Sequence, residues 1–223
     1  MDGPAAHTRE LDQALRELEL INHFLGGYHV VRNGLSKLLF PRAQPWRIVD
    51  YGCGGGDVLR VVADWARLRG ISVELTGVDY NARALAYARS GSHEYPHINF
   101  ELGRVGDANG GTRDRGPRYD IALCNLFCHH FTNAELVPLL NQIHRNAAIL
   151  LVNDLHRHPF AYHAIRLLTH MFSRSPMVKH DAPLSVLRAF RRTDLVDVMA
   201  QTSWQTSSIR WMWAFRFQVI GHA

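Results

Sequence analysis

With 223 residues, 47% of them hydrophobic, the chain can bury one sizeable core and carry a cap, and two full domains are not the default. A formal charge of +5 would suit a polyanion, yet apart from Lys37 and Lys179 the basic residues are arginines scattered along the chain. Only Arg113, Arg115, Arg118 and Arg188, Arg191, Arg192 form local groups. This reads as solvated surface and argues against a nucleic-acid partner. No uncharged apolar run long enough to span a bilayer and no charged-then-apolar leader occurs, so a soluble, cytoplasmic protein without a membrane partner is expected. Cys53, Cys124 and Cys128 lack a Cys-x-x-Cys pair and are expected as buried, reduced thiols, excluding a disulfide framework and a zinc site.

Residues 8–40 read as helix. Leu11, Leu15, Leu18, Ile21 and Leu25 recur at helical spacing, Gly26-Gly27 forms a break, and Tyr28, Val31, Leu35 and Leu38 resume the face before Pro41 and Pro45. Such a face is either a helical layer on the core or a lid over a ligand. Arg47-Ile48-Val49-Asp50 is then a buried strand running into the turn Tyr51-Gly52-Cys53-Gly54-Gly55-Gly56-Asp57, and Val58, Leu59, Val61, Val62, Trp65 and Leu68 form the stripe of a following helix. Glycines at alternate positions let a ligand approach backbone N–H groups at the helix N-terminus. A dinucleotide fingerprint would need glycine at position 57, where this chain has Asp57. A second strand, Val73–Asp79, ends in a carboxylate suited to ribose hydroxyls.

Asp50-x-Gly52-x-Gly54-x-Gly56, with Asp79 after it, resembles the first two motifs of class I S-adenosylmethionine-dependent methyltransferases. The resemblance implies a Rossmann-like, doubly wound α/β sheet of seven strands with an antiparallel last strand, S-adenosyl-L-methionine as cofactor, and Asp50, Gly52, Gly54, Gly56 and Asp79 around it. Residues 1–45 would be an N-terminal helical cap and residues 46–223 the cofactor-binding domain.

Beyond the capped helix Asn81–Ala88, His97–Leu102 is a third strand. Gly106-Asp107-Ala108 resembles the segment that holds the adenine amino group, although Gly103-Arg104-Val105 intervene, so either Asp107 or Arg104 stands at the adenine. The fourth strand, Tyr119–Asn125, runs into Leu126-Phe127-Cys128-His129-His130-Phe131. Ligands in open α/β sheets lie outside the carboxyl ends of the strands, so Asn125, His129 and His130 should face the reacting methyl. An Asn/Asp-Pro-Pro-aromatic string and a Pro-Cys nucleophile are both missing here, which excludes base-amino and cytosine-carbon methylation. The His-His pair resembles one found in small-molecule methyltransferases, where it is mostly structural; a proton-transfer role for His129, His130 or His156 stays open.

Ala147–Asp154 is a fifth strand. Asn153-Asp154 raises the possibility of Mg²⁺, but with Asn125 in place of a second carboxylate the set is a poor hard-cation site, and no metal is expected. Residues 155–192 are an insertion with one amphipathic segment, Phe160–Phe172, and a loop carrying Ser173, Arg174, Ser175, His180 and Asp181. Thr193 should cap a last helix, and Ser207–Trp213 and Ala214–Gly221 should finish the sheet as an antiparallel edge. Leu18-x-x-Ile21-Asn22 before Gly26-Gly27-Tyr28, Cys128-His129-His130-Phe131 and Asn153-Asp154-Leu155 look like bacterial methyltransferases of polyketide and quinone pathways. That implies methyl transfer to a small, largely apolar acceptor of secondary metabolism, above all a phenol or enol hydroxyl. The rivals are a non-catalytic S-adenosylmethionine-binding or partner-supporting protein and an RNA methyltransferase.

Overall fold

The computed structural model describes residues 8–105 and 118–223. Helices α1 (Thr8–Phe24) and α2 (Gly27–Leu38) precede β1 (Trp46–Tyr51), and the break falls at the expected glycines, with Gly26 at φ 75°. Then come α3 (Asp57–Arg67), β2 (Val73–Asp79), α4 (Ala82–Gly91), β3 (Ile98–Leu102), β4 (Tyr119–Asn125), a 3-10 turn over Cys128–His130, α5 (Asn133–His144) and β5 (Ala147–Leu155). The chain ends with α6 (Pro159–Phe172), α7 (Pro176–Arg188), α8 (Arg192–Ala200), β6 (Thr206–Met212) and β7 (Arg216–His222).

The seven strands form one sheet in the order β3-β2-β1-β4-β5-β7-β6, parallel from β3 through β5, with β7 antiparallel to both of its neighbours. This is the expected seven-stranded class. Strand periodicity sends alternate residues into two cores. Ile48 and Leu123 pack with Leu35, Leu59 and Val62 on the α2–α3 side. Val49 and Cys124 pack with Leu136, Leu140 and Val198 on the α5–α8 side. Each fully buried Leu or Ile contributes about 1.5–3 kcal/mol. All three cysteines are buried and unpaired. No helix among the described residues is long and apolar enough to cross a membrane.

Two local expectations are corrected. The loop expected around Ser173–Asp181 is mostly helix: the Ser175 hydroxyl accepts from the Val178 N–H and Pro176 opens α7, which runs through His180 and Asp181. Thr193 is not the cap of α8; its N-cap is Arg191, whose N–H donates to the Asp194 carboxylate at 2.8 Å. The closing hairpin finishes the sheet as the expected antiparallel edge, with β7 inserted between β5 and β6 and buried from Arg216 to Gly221.

β1 pairs on one side with β2 and on the other with β4, so the crossover direction reverses between β1 and β4. In doubly wound sheets that reversal opens a crevice at the carboxyl ends of the strands.

Candidate active site

A cavity of about 940 Å³ occupies this crevice. Its floor is the glycine turn and the ends of β2, β4 and β5; α1 lies along it with Leu11, Leu15 and Ile21, and Ile165 of α6, Val178 of α7 and the β6–β7 turn complete it. The insertion and the N-terminal helices therefore meet over the strand ends. Glu17 of α1 ties them, accepting from the Ser173 hydroxyl at 2.5 Å and from the Arg174 and Ser175 N–H groups at 3.0 and 3.2 Å.

The glycine turn is held from below. Gly52 and Cys53 donate to the Val78 carbonyl, and Gly54 donates to Oδ2 of Asp79 at 2.9 Å. Gly52, Gly54 and Gly56 all have positive φ, at 72°, 50° and 70°. Their surroundings differ. A Cβ at Gly52 would collide with the Phe127 ring and one at Gly56 would meet Phe100 at 2.9 Å, whereas one at Gly54 would find only Leu15, at 3.8 Å. Packing thus demands glycine at 52 and 56, while Gly54 opens toward the cavity.

Three carboxylates converge on the same wall. Asp50 is 1% exposed and its Oδ1 has no partner. Burial, then the charges of Asp57 and Asp79, push its carboxyl well above the usual carboxylate range. Burial also raises Asp57, against hydrogen bonds from the Tyr28 hydroxyl at 2.8 Å and the Asn22 amide at 3.4 Å. Asp79 takes the Gly54 N–H on one oxygen and the Asn81 N–H on the other. A wall with this much uncompensated acid suits a cationic ligand, and S-adenosylmethionine brings a sulfonium and an ammonium. The orphaned Asp50 oxygen and the open side of Gly54 both fit that group.

Asn125, at the end of β4, accepts from the Asn153 amide at 2.6 Å, and the same amide donates to the Gly27 carbonyl. Next to it Leu126 stands at φ 52°. A non-glycine residue in the left-handed region stores strain that the surroundings must enforce, and such residues cluster at working sites. His129, 4% exposed, lines the cavity and is held by Asp154 twice: Nδ1 lies 2.7 Å from Oδ1, and its backbone N–H donates to Oδ2 at 3.1 Å. Burial alone would raise Asp154, but attraction to His129, its hydrogen bonds and the Leu155 N–H hold the carboxyl below its ordinary value. His130 is exposed, its ring 4.3 Å from that of His129.

His156 also lines the cavity, but its Nδ1 accepts the Trp211 indole N–H at 3.3 Å, which leaves the proton of a neutral ring on Nε2. Burial and then the neighbouring His158 hold its pKa below the usual imidazole value. Gly103, Arg104 and Val105 reach the wall; Asp107 lies outside the described residues. Asp154 spends its oxygens on His129 and Leu155, and no group of three His, Cys, Asp or Glu residues that could hold a metal occurs among the described residues. The sequence reading missed Tyr28 as the partner of Asp57, Phe127 as the packing of Gly52, and the β6–β7 turn. Only Tyr28 carried a local signal, its place after the glycine break.

Residues 48–148 match the model of a family described as methyltransferase domain. No curated protein matches the chain in sequence. Among solved structures, a proposed O-methyltransferase of Nostoc punctiforme is similar over 96% of this chain and 60% of its own, with 14% identity and a TM-score of 0.66. The CMeT domain of the citrinin polyketide synthase is similar over 86% of this chain and 50% of its own, at 18% identity and TM-score 0.60. The plantazolicin methyltransferase BpumL, in complex with S-adenosylhomocysteine, is similar over 96% of this chain and 95% of its own, at 14% identity and TM-score 0.62. The chain thus spans only 50–60% of the first two. At these identities the likeness is one of fold. Residues 48–148 are thus similar to a methyltransferase domain, and the sheet order and the glycine turn ending in Asp57 agree with the fold of these neighbours.

Proposed function

We propose that the protein transfers a methyl group from S-adenosylmethionine to a small, largely apolar acceptor, at a phenol or enol oxygen. The observation that carries this is the composition of one cavity, in which an acidic wall suited to the cofactor and the Asp154-held His129 share space with aliphatic walls from α1, α6 and α7. When bound, the cofactor supplies an electrophilic methyl for in-line displacement. Asp50, Asp57 and the Gly54 backbone would receive its amino-acid end, and Asp79 its ribose through the lone pairs left on its oxygens. Asn125 and Leu126 would border the methyl. The insertion at residues 155–192 and the helices of residues 1–45 would form the acceptor side and exclude water, and alignment of this kind can supply about 7–11 kcal/mol of a barrier.

An oxygen acceptor must lose a proton. Of the three histidines, His129 is best disposed to take it: its Nδ1 donates to Asp154, which leaves the Nε2 lone pair as acceptor, whereas Nδ1 of His156 is already engaged by Trp211. Among the structural neighbours, the proposed O-methyltransferase of Nostoc punctiforme supports an oxygen acceptor and the citrinin polyketide synthase domain supports a polyketide-like one.

Titration calorimetry with S-adenosylmethionine tests the cofactor half. Asp79→Ala should weaken binding by about 1.5–3 kcal/mol, roughly 10- to 150-fold, through loss of charge-assisted bonds and of the Gly54 tether. Unchanged affinity would place the ribose elsewhere. Gly54→Val, with an added side chain filling the open side of the turn, should abolish saturable binding while the circular dichroism spectrum stays that of the parent. Wild-type affinity in a folded Gly54→Val variant would refute the assignment of the turn. Release of S-adenosylhomocysteine with a panel of phenols and enols tests the transfer. Cofactor binding without turnover on any acceptor would favour the non-catalytic binding protein.

A further inference from the structure

Five tryptophans divide sharply by environment. Trp46, Trp65 and Trp204 are 5–6% exposed, while Trp211 and Trp213 are 50% and 68% exposed. Both exposed indoles belong to the β6–β7 hairpin, and Phe160, at the start of α6, is 65% exposed beside it. Leaving such surface in water forfeits about 1.5–3 kcal/mol per large apolar side chain, and contiguous apolar exposure of this kind marks a binding surface.

The rings are organised around Phe215. Its centroid lies 5.1 Å from His158, 5.7 Å from Phe160, 6.1 Å from Trp211 and 6.3 Å from His156. Phe215 is itself held at φ 53°, and the Trp211 indole is fixed by its hydrogen bond to His156. The rings are thus positioned before any ligand arrives. His156, Phe160, Trp213 and Phe215 also line the cavity, so the aromatic surface is a continuation of its wall out to solvent.

We propose that this rim is an acceptor subsite that binds a flat, fused-ring portion of the substrate by stacking, with the reacting hydroxyl at the inner end of the same molecule. The inference rests on the reading above that the acceptor occupies this cavity, and adds that the acceptor is planar and longer than a single ring. Stacked or edge-to-face aromatic contacts contribute about 0.5–1.5 kcal/mol beyond area burial, which an aliphatic ring of equal size does not obtain.

The test uses the whole chain with phenanthrol as the flat probe and para-cyclohexylphenol as a puckered control bearing the same phenol. Phenanthrol should bind saturably and shield the two exposed tryptophans from acrylamide quenching. Trp213→Ala and Phe160→Ala should each weaken phenanthrol several-fold more than para-cyclohexylphenol, which loses only the buried area. No phenanthrol binding by wild type, unchanged affinity in both variants, or an equal loss for both probes would overturn the proposal. Shielding that appears without probe as protein concentration rises would also overturn it, by giving the patch to a second copy of the chain. S-adenosylmethionine titrations of the same proteins keep the two readings apart: a wild type that binds no cofactor fails the methyltransferase reading, whereas normal cofactor binding with any overturning result fails only the rim.

Discussion

Asp154→Asn is expected to destabilise the fold by about 3–5 kcal/mol, the cost of breaking a buried ion pair or charge-assisted pair from one side. Asp154 is fully buried and collects three donors: the His129 ring, the His129 backbone N–H and the Leu155 backbone N–H. An amide in its place offers one acceptor oxygen and turns its own N–H toward a donor, so at least one buried N–H is left without a partner. Because the folded pKa of Asp154 lies below the ordinary 3.8, its ionisation favours the native state. That contribution is fully present above the unfolded value and is lost as the pH falls through the lower folded one. Denaturant unfolding at neutral pH should therefore show the whole loss, and the gap between wild type and variant should narrow in acid below about pH 4. A loss under about 1 kcal/mol at neutral pH would mean that the pair is not buried as described.

How much of this could be read beforehand depended on whether the signal was local. The glycine turn, the carboxylates Asp50 and Asp79 and the α1–α2 break were legible because each is written within a few residues: an apolar run, alternate glycines, an acid at a strand end. The His129–Asp154 pair spans 25 residues. It exists because β4 and β5 pair in a register that sets Asn125 beside Asn153, and no local pattern encodes a register between parallel strands. The helix α7 was hidden by Pro183 and the charged Asp181 in its interior. The inner position of β7 was hidden by Arg216 and Gln218, which look like surface residues. They are buried because the α1–α2 turn and α2 offer carbonyls to them, Leu25 to the Arg216 guanidinium at 3.2 Å and Val30 to the Gln218 amide at 2.8 Å. The aromatic rim joins residues 53 positions apart, from Phe160 to Trp213, and exists only in the folded chain.

His129→Asn is expected to lower kcat by about 10²–10⁴-fold, the usual size of general acid–base catalysis, with little change in S-adenosylmethionine affinity. The substitution separates two roles that an alanine would confuse. An asparagine amide can place its N–H near the position of Nδ1 and still donate to Asp154, so the buried carboxylate keeps a partner and the loop after β4 keeps its anchor. What the amide cannot supply is a basic atom at the position of Nε2. A purely structural histidine would therefore tolerate asparagine, with turnover close to wild type, whereas a proton acceptor would not. Acceptor acidity gives a second readout. A phenol that already ionises at the assay pH has no proton to lose, so the defect should shrink as nitro groups lower the acceptor pKa and remain full for an unsubstituted phenol. Release of S-adenosylhomocysteine over such a series, with cofactor affinity measured alongside, decides the matter. A uniform defect across the series, or none, would remove His129 from proton transfer and leave it as the residue that pins the strand-four loop to Asp154.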